Sequence, residues 1–111
     1  MYDEAIKLYE DAANLIEKEL TTYKFFKKDL IEKEAAIYSN IAACYKQGQH
    51  NKKEVEYCTK VIDRASYIND TSMLAKAYLG RGFAYENLEK YADAKEDILR
   101  VRQLQPDNIP A

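Results

Sequence analysis

Histidine, tryptophan, cysteine, proline and glycine are all scarce in this 111-residue chain: one His, no Trp, two Cys, two Pro and three Gly. The single histidine, His50 in the turn GQHN, has no second ligand at metal or catalytic spacing and reads as a surface residue. Cys44 and Cys58 form neither a CxxC nor a metal-site spacing. Each lies in an apolar helical stretch and reads as a small buried hydrophobe in a reducing compartment. There is no Gly-rich phosphate loop. Charge of one sign is also lacking: 17 basic residues face 19 acidic ones, a net charge of −2, which gives no electrostatic case for a nucleic-acid partner. No apolar run approaches the roughly 18 residues of a membrane span, and no signal-peptide core precedes the first charges. The expectation is a cytoplasmic chain without membrane contact. Alternating strand patterns and Asn-Gly hairpins are absent as well, which leaves an all-α reading.

What is present is helical periodicity and tyrosine, ten of them. Tyr can fill a groove between helices while its hydroxyl stays wet. Residues 2–20 place Tyr2, Ala5, Ile6, Tyr9, Ala12, Ala13, Ile16 and Leu20 on one helical stripe, with Asp3, Glu4, Lys7 and Glu10 opposite. Further helices are expected over about 33–48, 51–66, 72–88 and 91–104. Gly48 offers a C-cap, Asn69-Asp70-Thr71-Ser72 an N-cap, and Pro106 a stop. The segment 21–32 is ambiguous, because Phe25, Phe26, Leu30 and Ile31 could extend the first helix or begin the second. The two Thr and the lysines favour a turn near 20–24, with Phe25 and Phe26 packing on the long helix. Lys24, Lys27 and Lys28 are offset by Asp29 and Glu32 and read as a solvated face. Helix carboxylates lie among lysines at i,i+4 spacing and read as surface ion pairs rather than acid/base dyads. No catalytic residue, metal ligand or cofactor site emerges, and the chain reads as a non-enzyme.

YSNIAACY (38–45) and YLGRGFAY (78–85) superimpose at an offset of 40 residues, and the register continues as Cys58 and Val61 answer Ile98 and Val101. A fixed period of this size marks a stacked-repeat architecture. In the last unit Tyr78, Gly82, Tyr85, Leu88, Tyr91, Ala94 and Pro106 fall at spacings that resemble the tetratricopeptide repeat, a helix–turn–helix motif. Gly82 and Ala94 would let the paired backbones approach, with tyrosines filling the space beside them. The middle unit resembles the family through Tyr38, Ala42 and Tyr45. It departs at Asn51, where an aromatic is expected, and at Glu54, where a small residue is expected; looser packing follows, with Val55 taking over the contact. The period exceeds the family's usual 34 by about six residues, which implies a lengthened helix or loop around 63–72.

The resemblance implies about two and a half repeats and five helices, stacked as a short right-handed superhelix in one domain: 1–20 as the second helix of an incomplete repeat, 33–66 as the middle repeat, 72–106 as the last. It also implies a protein–protein interaction module with a concave groove. In the co-chaperone subset of the family, Lys, Asn and Arg in that groove hold the C-terminal carboxylate of heat-shock chaperone tails. YSNIAACY resembles that subset's middle-repeat signature, which makes Asn40 an amide donor and sets Ala43 on the groove floor. Lys76 stands where the third repeat offers its lysine. Gly80 stands where that subset has an arginine, and Arg81, one residue on, is rotated about 100° away. The peptide-binding set expected from the resemblance is Asn40, Ala43, Gln47, Lys76 and Phe83, a partial clamp. The alternative is a scaffold or oligomerisation segment docking folded partners or copies of itself, through end helices whose apolar faces are uncovered.

Overall fold

The computed structural model describes residues 2–20 and 27–106. The turn expected past Leu20, Lys24, and Phe25 and Phe26 lie outside the described residues. Five α-helices make up the described residues, with no strand among them: α1 (Tyr2–Leu20), α2 (Lys27–Gln47), α3 (Asn51–Ile62), α4 (Thr71–Asn87) and α5 (Tyr91–Leu104). Each packs on the next in chain order, and α2 also touches α4, so the helices form a stack of antiparallel hairpins. Ile6 and Ala13 of α1 are buried, as the period requires, while Leu8 and Leu15 on another face are 70% and 62% exposed.

Helix α2 begins six residues earlier than its clearest periodicity, and so takes Leu30 and Ile31 from the ambiguous segment. Ile31 continues the buried stripe Ala35, Tyr38 and Ala42, and Asp29 lies in the first turn, where a carboxylate complements the helix dipole. Helix α3 is shorter than expected, ending at Ile62. The surplus of the 40-residue period is a loop with one 3₁₀ turn, Ala65–Tyr67, anchored by buried Ile68 and by the Asn69 amide donating to the Glu32 carboxylate at 3.0 Å. Asp70 then caps α4, its Oδ1 accepting from the backbone amides of Ser72 (2.9 Å) and Met73 (3.3 Å).

Both hairpins close by the same turn. The His50 amide donates to the Tyr45 carbonyl at 2.9 Å and the Gln49 amide to Lys46 at 3.1 Å. Forty residues on, Lys90 donates to Tyr85 at 2.8 Å and Glu89 to Glu86 at 2.9 Å. These paired bonds define a Schellman motif. The left-handed residue in each is not a glycine: Gln49 has φ 60° and Glu89 φ 63°, whereas Gly48 has no positive φ. Gly48 therefore precedes the cap residue expected of it.

Gly82 does mark a close approach. A Cβ there would lie 3.1 Å from Ile98 Cδ1, 3.3 Å from Asp97 Cβ and 3.4 Å from the Ala94 carbonyl. Tyr91, expected to fill space beside it, is instead 63% exposed. The carboxylates also depart from a purely surface reading, since Glu34, Glu54 and Asp97 are buried. Glu34 pairs with Arg64 (Nε to Oε1, 2.6 Å), and Asp97 receives Arg81 through two 2.8 Å bonds. On the surface Lys53 pairs with Glu56 at 3.5 Å, at i,i+3 rather than the expected i,i+4 spacing.

Candidate functional site

Helices α2 and α4 lie side by side, and two adjoining recesses open between them. The outer recess, about 270 Å³, is lined by Ala36, Ser39 and Asn40 from α2 and by Ser72, Met73 and Lys76 near the start of α4. Asn40 and Lys76 are exposed, so an amide and an ammonium are both free to meet a ligand from solvent. Asp70 also borders this recess, but its carboxylate is engaged in capping α4.

The inner recess, about 80 Å³, shares Ser39 and Lys76 with the outer one and runs down to α3. Ala42, Ala43, Val61, Ala77 and Leu79 give it apolar walls. Glu54, Cys58 and Gly80 also line it, and Lys46 joins Lys76 in contributing an ammonium. Glu54 is only 5% exposed, and burial, partly opposed by Lys46, raises its carboxyl above the ordinary carboxylate range. Burial likewise pushes the Cys58 thiol up to about 12, so it is an inert packing group rather than a nucleophile.

The structure thus brings Asn40, Ala43 and Lys76 onto one groove. It places Gln47, at the last residue of α2, and Phe83, 46% exposed on α4, outside the lining of both recesses. Arg81 is turned away, as its helical rotation implies. Its guanidinium is held by Asp97, donates to Thr59 Oγ1 at 3.2 Å, and lies 5.6 and 5.7 Å from the Tyr78 and Tyr85 ring centres. Glu54 was a visible departure in sequence, and Gly80 another. Their meeting was not, because they belong to different helices: Glu54 Oε2 lies 3.2 Å from where a Gly80 Cβ would stand. The carboxylate uses space that the glycine leaves, which corrects the expectation that Val55 would take over this contact; Val55 is only half-buried.

Among the described residues no group of three or more His, Cys, Asp or Glu side chains could hold a metal, and no helix is long and apolar enough to cross a membrane. A stack of helical hairpins with a groove between alternate helices is the architecture of a helical-repeat interaction module. Residues 75–108 match the family model of the tetratricopeptide repeat. It is 33% identical over 103 residues to mitochondrial import receptor subunit TOM34 of Mus musculus, covering 93% of this chain and 29% of that protein. The Rattus norvegicus counterpart is 32% identical over the same span, also 29% of its length. Mitochondrial import receptor subunit TOM70 of Saccharomyces cerevisiae is 34% identical over 98 residues, 87% of this chain and 12% of the yeast protein. The chain therefore spans under a third of the relatives it matches. No solved structure matches it.

Proposed function

We propose that the chain is a non-enzymatic module that binds an extended peptide in the groove between α2 and α4, with the peptide's terminal carboxylate held by Lys76 and Asn40. A heat-shock chaperone tail is the partner class this chemistry suits, and a co-chaperone or receptor role is the matching context. One observation carries the reading: Asn40 and Lys76, from two different helices, line the same recess and are both open to solvent. A carboxylate wants several charge-assisted donors, and an amide side chain beside them fixes an extended backbone. With Gly80 in place of an arginine and Arg81 committed to Asp97, the clamp is incomplete, and binding should be weaker than a full set of donors would give.

The test is titration of the chain with an acidic C-terminal peptide, as free acid and as amide. Binding should require the free acid, fall with salt, and fall about tenfold in Lys76→Ala, in line with a charge-assisted bond of roughly 1.5–3 kcal/mol. Equal binding of acid and amide would remove the reading. A second reading, docking of another helix or another copy on α1, is favoured by Leu8 and Leu15, exposed one heptad apart. Sedimentation at rising concentration tests it: self-association that Leu8→Glu with Leu15→Glu abolishes supports it, and a strictly monomeric profile ends it.

A further inference from the structure

Glu54 stands out among the buried acids. Asp97 has two bonds from Arg81, and Glu34 has Arg64. Among the described residues no donor hydrogen-bonds to the Glu54 side chain, although it is 95% buried and lines the inner recess. Its carboxyl therefore meets the recess rather than a protein donor, and a cationic group entering there would gain a charge-assisted bond in a largely desolvated site.

We propose that the inner recess is a side-chain subsite for a lysine of the bound peptide, its methylenes against the apolar walls and its ammonium on the Glu54 carboxylate. The proposal rests on the peptide-groove reading above, because Ser39 and Lys76 join the two recesses into one groove. The walls suit a linear hydrocarbon stem: Ala42, Ala43, Val61, Ala77 and Leu79 carry no polar side-chain group. Gly80 is what keeps the base open, because a side chain there would stand 3.2 Å from Glu54 Oε2 and 3.4 Å from Cys58 Sγ. About 80 Å³ favours the compact ammonium over a planar guanidinium. The charges above the base specify the context of that lysine. Lys46 and Lys76 also line the recess, so the segment that enters should carry carboxylates beside its lysine, one of them the terminal group of the outer recess. Where a full clamp uses an arginine at position 80 to hold another anion, this groove has removed that cation and set an acid beneath it.

The test uses two probes that lack a free carboxylate, N-acetyl-lysine methylamide and its norleucine counterpart, titrated into the isotope-labelled full chain by NMR. The lysine probe should shift the Gly80 amide and the Glu54 carboxyl, with about tenfold tighter binding than norleucine, a factor that corresponds to about 1.4 kcal/mol. Glu54→Gln keeps the shape, should fold with unchanged helicity, and should abolish the preference. Equal binding of the two probes, or shifts away from Glu54 and Gly80, would overturn the subsite. Loss of the free-acid dependence of the acidic peptide, with the lysine preference intact, would instead remove the carboxylate reading and leave this subsite standing.

Discussion

The α2–α3 and α4–α5 hairpins share a turn and a 40-residue register, yet they fill two equivalent pairs of positions in opposite ways. Near the open end, the middle hairpin has the Glu34–Arg64 ion pair, and the last hairpin has Leu74 and Leu104. Half-way along, the middle hairpin has Ile41 and Tyr57 in its core, and the last has the Arg81–Asp97 pair. Each hairpin thus contains one buried ion pair and one apolar pair, at exchanged levels. A buried ion pair is weak evidence for stability, since desolvation opposes the attraction, but breaking one partner away is severe. The exchange makes the hairpins non-interchangeable: pairing α2 with α5 would set Ile41 against Asp97 and Glu34 against Leu104. Stacked repeats with similar helices risk such mispairing, and the exchanged pairs oppose it.

The largest expected effect comes from breaking the last hairpin's pair. Arg81→Ala leaves Asp97 buried without its bidentate partner and should cost about 3–5 kcal/mol in thermal or urea unfolding. Arg81→Ile with Asp97→Tyr copies the middle hairpin's solution and should lie within about 2 kcal/mol of the parent. If the double variant is as unstable as the single one, the two levels are not equivalent and the comparison fails.

The middle hairpin's pair is more open to solvent on the arginine side, so Arg64→Ala should cost less, about 2 kcal/mol. It also carries a pH signature. Burial, opposed by Arg64, holds the Glu34 carboxyl above its ordinary value of 4.5. The native state therefore keeps this proton to higher pH than the unfolded chain does. The corresponding stability is present at low pH and is lost as pH rises from the unfolded value through the raised native one. Glu34 Oε2 has no hydrogen-bond partner, while Oε1 accepts from Arg64. Glu34→Gln keeps an acceptor for Arg64 and should flatten that loss in unfolding curves measured from about pH 4 to 7. An unchanged pH slope relative to the parent would place the titration elsewhere.

Much of this was legible in the sequence. The all-α reading, the five helices and the Asp70 cap follow from local spacing, which one helix specifies by itself, and the Gly82–Ala94 approach from the resemblance to a known repeat. Asn40, Ala43 and Lys76 were expected from the resemblance to the co-chaperone subset, and they line one groove. What escaped depends on two helices meeting. Glu34 and Arg64, or Arg81 and Asp97, look like ordinary surface charges until the hairpin closes on them. Glu54 and Gly80 look like two unrelated departures from a repeat, although each is spatially the reason for the other.

The two glycines of α4, Gly80 facing the groove and Gly82 facing α5, sharpen the comparison at smaller magnitude. Both would gain about 1 kcal/mol of helix propensity on change to Ala. At Gly82 the new methyl meets Asp97 Cβ, pinned by Arg81, and the Ala94 carbonyl, which is backbone, so α4 and α5 must separate. Gly82→Ala should therefore lose about 1 kcal/mol net. At Gly80 the methyl meets the far end of Glu54, which can swing, and the Cys58 sulfur at ordinary contact distance. Gly80→Ala should be neutral or slightly stabilising, with the inner recess narrowed. Equal losses at both positions would show that Glu54 is as fixed as Asp97.

The smallest effect tests whether the shared turns are equal in energy as well as in geometry. Gln49 and Glu89 hold φ of 60° and 63°, a region where a side chain's Cβ crowds the following carbonyl at about 1–2 kcal/mol. Glycine removes that strain but adds unfolded-state entropy, so Gln49→Gly and Glu89→Gly should each stabilise by about 0.5–1 kcal/mol. Gln49 precedes His50, whose ring packs edge-on against Tyr45 with centres 5.8 Å apart. Lys90, in the equivalent place, offers no such ring against Tyr85. If the His50–Tyr45 contact helps to hold the first turn, His50→Lys should lower the middle hairpin's stability and bring it level with the last. The gain from Gln49→Gly should then persist in that background, because strain at φ and the ring contact are independent terms. A gain that vanishes in the double variant would mean that the ring contact, rather than the Schellman bonds, sets the conformation at Gln49.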